Sequence, residues 1–246
     1  MPLPPLESFT VPFDAPWGPH PLHGQRQRPA GAVATALLLH GGGQASGERF
    51  GDLRAWLVER GIDTVTFDCL GHGRTGGAQP GTTLAQREAQ LHAVVAALAL
   101  NPARLTVAGF SMGAAVAAGA AATLGLQRLC LAIPAAYAPE AREVPFGPAF
   151  SAILRRPRSW ATAATFDAVA RFQGHLLVVS AALDTVVPAE IPATYHARAT
   201  AARSRVHHVI PGAPHDLAAH YAAHPSDQAA VYEAITTLCR QPAAPA

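Results

Sequence analysis

A single serine lies between two glycines in the stretch Gly109-Phe110-Ser111-Met112-Gly113. The preceding residues, RLTVAGF, predict a β-strand, and the run of alanine and glycine that follows predicts a helix. A nucleophile on a strand-to-helix turn needs glycines two residues before and after it, because a Cβ there would strike neighbouring backbone. The pattern predicts a nucleophile at Ser111, and a helix-capping serine is the alternative.

A serine hydroxyl becomes a good nucleophile only when a base accepts its proton. Among the 12 histidines, His215 is the best placed, because HVIPGAPHDL puts it in a Pro/Gly loop directly after a predicted strand. His207 and His208 fall inside that strand and are expected to be packing or edge residues. His220 and His224 are predicted to lie in or near helical surface segments. We therefore expect His215 to be the base.

An imidazole that acts as a base is held in one tautomer by an acceptor. Asp184 lies in the loop after the predicted strand HLLVVSA, whereas Asp167 and Asp216 are less well placed. Capping of the next helix is the alternative role for Asp184, but that helix is predicted to begin several residues later. The predicted triad therefore runs in the order Ser111, Asp184, His215 along the chain.

The glycine run in LLLHGGG follows a predicted strand. Acyl transfer places negative charge on the former carbonyl oxygen, which backbone N–H groups can stabilise. We expect one such donor at Met112, directly after the nucleophile, and a second at Gly42, with Gly43 as another candidate. His40 is expected to order this loop through its ring. A phosphate-binding turn is the alternative, but the Gly-x-Gly-x-x-Gly spacing is absent.

The elements that must position these residues alternate along the chain from Ala34 onward. Six apolar segments predict strands, and helical patterns between them predict crossovers, which indicates a parallel sheet covered on both faces. The first 33 residues are rich in proline and predict at most one or two edge strands. Residues 140–174 are too long for a simple crossover and too short for a domain. We call them the insertion segment and predict that they form a small lid over the site.

Taken together, HGGG, DCLGHGRTGG, GFSMG, LDTVVP and PGAPHD resemble, in order, the motifs of α/β-hydrolase-fold serine hydrolases, over roughly Ala34 to the C-terminus. The resemblance implies an α/β fold with an eight-stranded, mostly parallel sheet, helices on both faces and one domain spanning residues 1–246. It also implies that Asp68 and His72 organise a loop near the site.

The composition favours an enzyme-like domain. Half of the 246 residues are hydrophobic, only 14% are charged and the formal net charge is +2, which argues against a disordered or nucleic-acid-binding chain. The three cysteines are too few and too scattered for a disulfide framework, so a cytoplasmic location is expected. The pattern predicts no signal peptide, no membrane span, no metal site and no cofactor, and it leaves the oligomeric state open.

The insertion segment is the part of the sequence expected to carry specificity. Phe146, Phe150 and Trp160 could line an acyl pocket. Arg155 and Arg156 either form a solvated surface patch or bind a substrate carboxylate or phosphate, as a CoA thioester would offer.

The fold alone does not select the reaction. The sequence favours cleavage of a carboxylic ester or thioester in a small acyl substrate. A peptidase or amide hydrolase remains an alternative, and so does a slow ligand-sensing or partner-binding protein of the same fold.

Overall fold

The computed structural model describes residues 3–243, and its centre is one eight-stranded sheet. The strands are β1 (Glu7–Val11), β2 (Leu22–Gln27), β3 (Ala34–Leu39), β4 (Ile62–Phe67), β5 (Leu105–Phe110), β6 (Arg128–Ala132), β7 (His175–Ala181) and β8 (Ser204–Ile210). Their spatial order is β1-β2-β4-β3-β5-β6-β7-β8. Strands β3 to β8 pair in parallel, whereas β2 pairs antiparallel to both β1 and β4. The predicted eight-stranded, mostly parallel sheet is confirmed.

Residues 3–243 contain eight α-helices, six of them between consecutive strands and two after β8. They are α1 (Gly51–Glu59), α2 (Leu84–Ala97), α3 (Met112–Ala120), α4 (Pro148–Leu154), α5 (Ala164–Ala170), α6 (Glu190–Arg198), α7 (Leu217–Ala223) and α8 (Pro225–Cys239). Helices α2, α3, α5 and α6 cover one face of the sheet, and α1, α7 and α8 cover the other. In β3, Leu37 and Leu39 face the first layer and Leu38 faces the second. The central strands β3 to β7 are therefore buried on both faces, which explains why most of them are rich in apolar residues.

The proline-rich start of the chain supplies the two antiparallel strands at one edge. Strand β1 pairs with β2 from Glu7↔Arg26 to Val11↔Leu22. The chain between these two strands forms a short two-stranded ribbon, Asp14–Ala15 with Gly18–Pro19. Only Val11 is buried in β1. An exposed edge strand carries little apolar signal, so the sequence could indicate only one or two edge strands here.

Helix α2, which precedes β5, begins with a capping box. Thr83 is the N-cap of α2: its side chain accepts from the Gln86 N–H, and the Gln86 side chain accepts from the Thr83 N–H. This capping box fixes the start of α2. Its buried face contains Leu84, Arg87 and Leu91, which places a charged side chain inside the protein.

The insertion segment packs against α3 and α6 through its own helix α5. It contains α4, a 3₁₀ turn at Ser159–Thr162 and α5. Phe146 and Phe150 are buried, and their rings form an edge-to-face pair with centroids 4.9 Å apart. The aromatic side chains of this segment therefore contribute to the core.

Within residues 3–243, no helix combines the length and apolarity needed to cross a membrane. In the same part of the chain, no group of histidine, cysteine or carboxylate side chains could hold a metal ion.

Candidate active site

Ser111 occupies the tight turn between β5 and α3. Its φ of 55° and ψ of −117° lie in a region that non-glycine residues seldom adopt. The Ser111 N–H donates to Ala132 O at 2.9 Å, and the Ala135 N–H donates to Ser111 O at 3.2 Å. These bonds to the end of β6 hold the strained turn, so the hydroxyl is presented at the carboxyl edge of the sheet.

The two glycines of the motif allow this turn by removing side chains. A Cβ on Gly109 would collide with the backbone of Gly113 and Ala114, and a Cβ on Gly113 would collide with the carbonyl groups of Leu39 and His40. Strand, helix and the end of β3 therefore approach more closely than any other residue would permit.

His215 reaches Ser111 from the loop after β8. Its Nε2 lies 3.2 Å from Ser111 Oγ, and its Nδ1 lies 2.7 Å from Asp184 Oδ2. With the proton on Nδ1, the ring donates to the carboxylate and leaves Nε2 free to accept from the serine hydroxyl. The three residues that sequence spacing predicted as a triad thus meet in one hydrogen-bonded chain.

Asp184 is held by its own loop and by the loop of His215. Its Oδ1 accepts from the N–H groups of Val186 and Val187, both at 2.8 Å. The Leu183 N–H donates to Ala213 O at 2.8 Å, which ties the two loops together. Because the second oxygen is occupied, the carboxylate can rotate little, and its Oδ2 stays directed at the imidazole.

The other candidate residues have different environments. His207 bonds to Ser180 at 2.8 Å inside the sheet, as a packing residue would. Asp216 caps α7 through the Ala218 N–H, and Asp167 is exposed on α5. The expectation of a surface position is wrong for His220, which is buried and bonds to the Asp227 carboxylate, because α7 packs against α8.

The glycine loop after β3 lies against the nucleophile. A Cβ built on Gly41 would be 3.1 Å from Ser111 Cβ and 3.6 Å from its Oγ, and one on Gly42 would be 3.3 Å from Met112 Cε. Met112 is the first residue of α3, so its N–H has no acceptor within the helix. Both expected N–H donors are thus carried by segments that border the hydroxyl, and Gly43 stands one residue further along with a φ of 66°.

His40 and His72 lie beneath this loop. His40 accepts from the Cys69 N–H at 3.0 Å and donates from Nδ1 to Gly41 O at 2.8 Å. His72 donates from Nδ1 to Ala45 O at 2.9 Å. Asp68 accepts from the Gly47 N–H at 2.6 Å. These contacts join the glycine loop to the turn that follows β4, as the motif resemblance implies.

Both rings are kept neutral by their surroundings. Burial, followed by the positive charge of Arg87, lowers the pKa of His40 well below its usual value, and the same two causes lower the pKa of His72 to about 4. A neutral ring donates from one nitrogen and accepts at the other, whereas a charged ring can only donate.

A cavity of about 440 Å³ opens beside Ser111, on the α1, α7 and α8 side of the sheet. We call it the Ser111 cavity. Its apolar walls come from Phe50, Leu53, Phe110, Ile133, Leu217, Tyr221 and Tyr232, and its polar groups include Arg49, Asp52 and Gln228. Ile133 has a φ of 43°, an unusual conformation for a β-branched residue. The cavity can enclose an apolar group next to the serine.

The insertion segment supplies no residue to the lining of this cavity, so the lining does not support the prediction of a lid that binds the acyl group. Of the described residues, none of the five predicted there lines it. Phe146 and Phe150 are buried in the core, and Trp160 packs edge-to-face on Phe166. Arg155 is exposed, and Arg156 pairs with Glu140 at 2.8 Å on the surface. Helix α5 of the segment packs on α3 instead.

Sequence reasoning missed the cavity residues and one buried cation. Phe50, Tyr221 and Tyr232 come from helices and a 3₁₀ turn that are far apart in sequence, and no local pattern groups them. Arg87 did carry a signal, because it lies on the apolar stripe of α2, three residues after Leu84.

The family model described as "Alpha/beta hydrolase family" matches residues 36–172, which is more than half of the chain. The chain belongs to the α/β hydrolase family. The matched residues include the glycine loop and the turn at Ser111, whereas Asp184 and His215 lie beyond them. No curated protein matches the sequence of this α/β hydrolase.

Solved structures show the same fold at low sequence identity. Est1E from Butyrivibrio proteoclasticus, solved with ferulic acid, has 20% identity and a TM-score of 0.69, covering 90% of this chain and 97% of that one. The Pyrococcus furiosus esterase Pf2001 has 21% identity and a TM-score of 0.67, covering 95% of this chain and 93% of that one. A monoacylglycerol lipase from Paleococcus ferrophilus has 16% identity and a TM-score of 0.68, covering 88% of this chain and 98% of that one. A bromoperoxidase from Bacillus anthracis also matches, so this likeness concerns the fold alone.

Proposed function

We propose that this α/β hydrolase cleaves a carboxylic ester or thioester through an acyl-enzyme on Ser111. The observation that supports it is the continuous hydrogen-bonded chain from Ser111 Oγ through His215 to Asp184, at 3.2 and 2.7 Å. In this proposal residues 1–246 form one domain, and the insertion segment stands beside the catalytic cavity.

The mechanism starts with proton transfer to the imidazole. His215 Nε2 accepts the hydroxyl proton while Ser111 Oγ attacks the carbonyl carbon. The negative oxygen of the tetrahedral intermediate binds the N–H groups of Met112 and Gly42. His215 then donates its proton to the leaving oxygen or sulfur, and the acyl group stays on Ser111.

Deacylation repeats the same steps with water. His215 accepts a proton from a water molecule that attacks the acyl-enzyme, and returns it to Ser111 Oγ as the acid leaves. The Asp184 carboxylate stabilises the imidazolium that forms twice in the cycle.

The substrate class follows from the Ser111 cavity. Its walls combine apolar and aromatic side chains with several polar groups, and its volume of about 440 Å³ suits a medium-sized acyl or aryl group. The arginines of the insertion segment do not line it. Arg49 does, but the carboxylates of Asp52 and Asp216 line it as well, and Arg49 lies 3.8 Å from Asp216, so the lining has no excess of positive charge to hold a CoA phosphate. Simple esters are therefore favoured over CoA thioesters. The esterase and lipase names of the structural neighbours agree with this choice.

A fluorophosphonate probe tests the proposal, because it phosphonylates only an activated serine. We expect labelling and p-nitrophenyl ester hydrolysis in the wild type, and loss of both in Ser111→Ala. The turnover number is expected to fall by at least about 10⁴-fold.

Ser180→Ala is the matched control, because Ser180 also bonds to a histidine, His207, but its chain of contacts includes no carboxylate. It should keep full labelling. A wild type that neither labels nor hydrolyses esters, acyl-CoAs or amino-acid amides would contradict the proposal and favour a ligand-sensing role. Preferential turnover of amides would favour the peptidase alternative.

A further inference from the structure

The molecule contains a buried arginine close to the nucleophile. Arg87 is only 1% exposed, and within residues 3–243 no carboxylate lies within ion-pair distance of it. Its Nε has no hydrogen-bond partner among those residues. A buried cation without a counter-ion destabilises a fold, so this position calls for a role besides packing.

The contacts of Arg87 converge on the glycine loop. Its Nη1 donates to Gly41 O at 3.0 Å, and its Nη2 bonds to His72 Nε2. Gly41 O also accepts from His40 Nδ1 at 2.8 Å. This carbonyl oxygen therefore receives two donors, one of them charged, and both come from buried side chains.

That carbonyl belongs to the peptide unit whose N–H is the N–H of Gly42. The chain has no cis peptide bond among the described residues, and in a trans peptide the C=O and the next N–H point in opposite directions. Holding Gly41 O against Arg87 and His40 therefore turns the Gly42 N–H away from them. Within residues 3–243, the Gly42 N–H donates to no backbone carbonyl, so it is available to a ligand.

We propose that Arg87 is a positioning residue for the oxyanion site: it clamps the Gly41–Gly42 peptide so that the Gly42 N–H is held ready for the substrate oxyanion. Its charge has a second effect in the same direction. A positive group inside a low-dielectric interior favours negative charge nearby, and Gly41 is the residue that borders Ser111 Oγ. This inference rests on the proposed function.

The two effects both act in the transition state more than in the ground state. A neutral ester has little charge on its carbonyl oxygen, whereas the tetrahedral intermediate carries a full negative charge there. Loss of Arg87 should therefore lower kcat with little change in KM. A purely structural role would instead lower activity in proportion to the loss of folded protein.

Arg87→Met tests the proposal, because methionine fills much of the space without the charge or the donors. We expect kcat to fall by about 10- to 100-fold, less than for direct loss of an oxyanion donor, with KM changed less than about 3-fold. Affinity for a trifluoromethyl ketone, which forms a charged hemiketal on Ser111, should fall in parallel. The melting temperature should change little, because removal of an unpaired buried charge offsets the loss of two hydrogen bonds.

Arg128→Met is the matched control. Arg128 is also buried and donates to two backbone carbonyls, Ala103 O and Gln241 O, but it lies at the opposite edge of the sheet. It should keep its kcat. If Arg87→Met does not fold, Arg87→Lys keeps the charge and loses the paired donors, and its kcat should fall by about 5- to 20-fold at unchanged KM.

Two results separate this inference from the proposed function. A wild type without Ser111-dependent turnover overturns both. A wild type that is active, with a folded Arg87→Met or Arg87→Lys enzyme of unchanged kcat and unchanged ketone affinity, overturns only the role of Arg87.

Discussion

Two cavities flank the nucleophile helix, and they differ in chemistry more than in size. The Ser111 cavity, about 440 Å³, contains Ser111 and His215. A second cavity of about 540 Å³ runs over α3 between α2 and α5, and we call it the α3 groove. Its lining includes Ala89, Gly119 and Ala168, with the Glu88–Arg142 ion pair beside them. The larger cavity has no residue of the triad.

The difference shows that volume does not locate the chemistry in this molecule. Helices α2 and α5 both pack on α3, and the small side chains that line the α3 groove leave space between these helices. Around Ser111, every polar group of the triad has a directed partner, and the loops that carry them are bonded to each other. Reaction requires that arrangement, which an open groove does not provide.

The largest expected effect on activity comes from removing the Asp184 carboxylate. Asp184→Asn should keep an acceptor for Val186 and Val187 but lose the charged partner of His215. We expect kcat to fall by about 10⁴-fold without loss of fold. Asp167→Asn, on the insertion segment, should match the wild type. Equal activity of the two variants in an ester assay would contradict the assignment.

A smaller effect should distinguish the two cavities as substrate sites. Ala222→Trp places a bulky ring in the Ser111 cavity, and Ala168→Trp places one in the α3 groove. The first should lower kcat/KM by about 10-fold or more for bulky acyl esters and by less than about 3-fold for acetate esters. The second should change neither. The reverse pattern would move the substrate site to the α3 groove.

Two buried histidines near Ser111 should make the free energy of unfolding depend on pH. The pKa of His72 is about 4 in the fold, below the ordinary value of 6.5, and the pKa of His40 is also lowered. Below pH 6.5 the unfolded chain binds protons that the folded chain does not, so stability falls as the pH drops from 6.5 towards 4. For His72 the loss by pH 5 is on the order of 1–2 kcal/mol.

Urea unfolding at pH 7.5 and pH 5.0 measures this difference. His72→Gln removes one of the two groups and should reduce the pH dependence of the unfolding free energy. An identical pH dependence in the wild type and the variant would show that the ring is not kept neutral by burial.

The smallest effect is expected on the insertion segment. Arg155 and Arg156 are exposed, and exposed ion pairs contribute little. The double variant Arg155→Ala, Arg156→Ala should change KM by less than about 2-fold, for a CoA thioester and a neutral p-nitrophenyl ester alike. A KM that rises only for the CoA thioester would bring the segment back into substrate binding.

The strands and the chemistry-bearing residues could be predicted from local patterns. Unbroken apolar runs mark strands that are buried on both faces, and residues at their carboxyl ends must meet at one edge of the sheet. Ser111 and Asp184 each follow such a run. His215 follows β8, an edge strand with mostly exposed residues, and was predicted from its place in the Pro/Gly loop after that strand. The edge strand β1 was harder, because its pairing with β2 leaves most of its side chains exposed.

The Ser111 cavity could not be predicted in the same way. The insertion segment has enough aromatic residues for a pocket, but the fold uses Phe146 and Phe150 as core. The real walls come from Phe50, Tyr221 and Tyr232, which become neighbours only when α1, α7 and α8 pack on the same face of the sheet.

The sequence by itself determined the kind of fold and which side chains could react, because periodicity, glycine spacing and strand ends are local properties of the chain. Only the tertiary structure decided which side of Ser111 is open and which partner Arg87 has in place of a carboxylate. Those outcomes depend on how separate helices pack against one sheet, and packing is a property of residues that are distant in sequence.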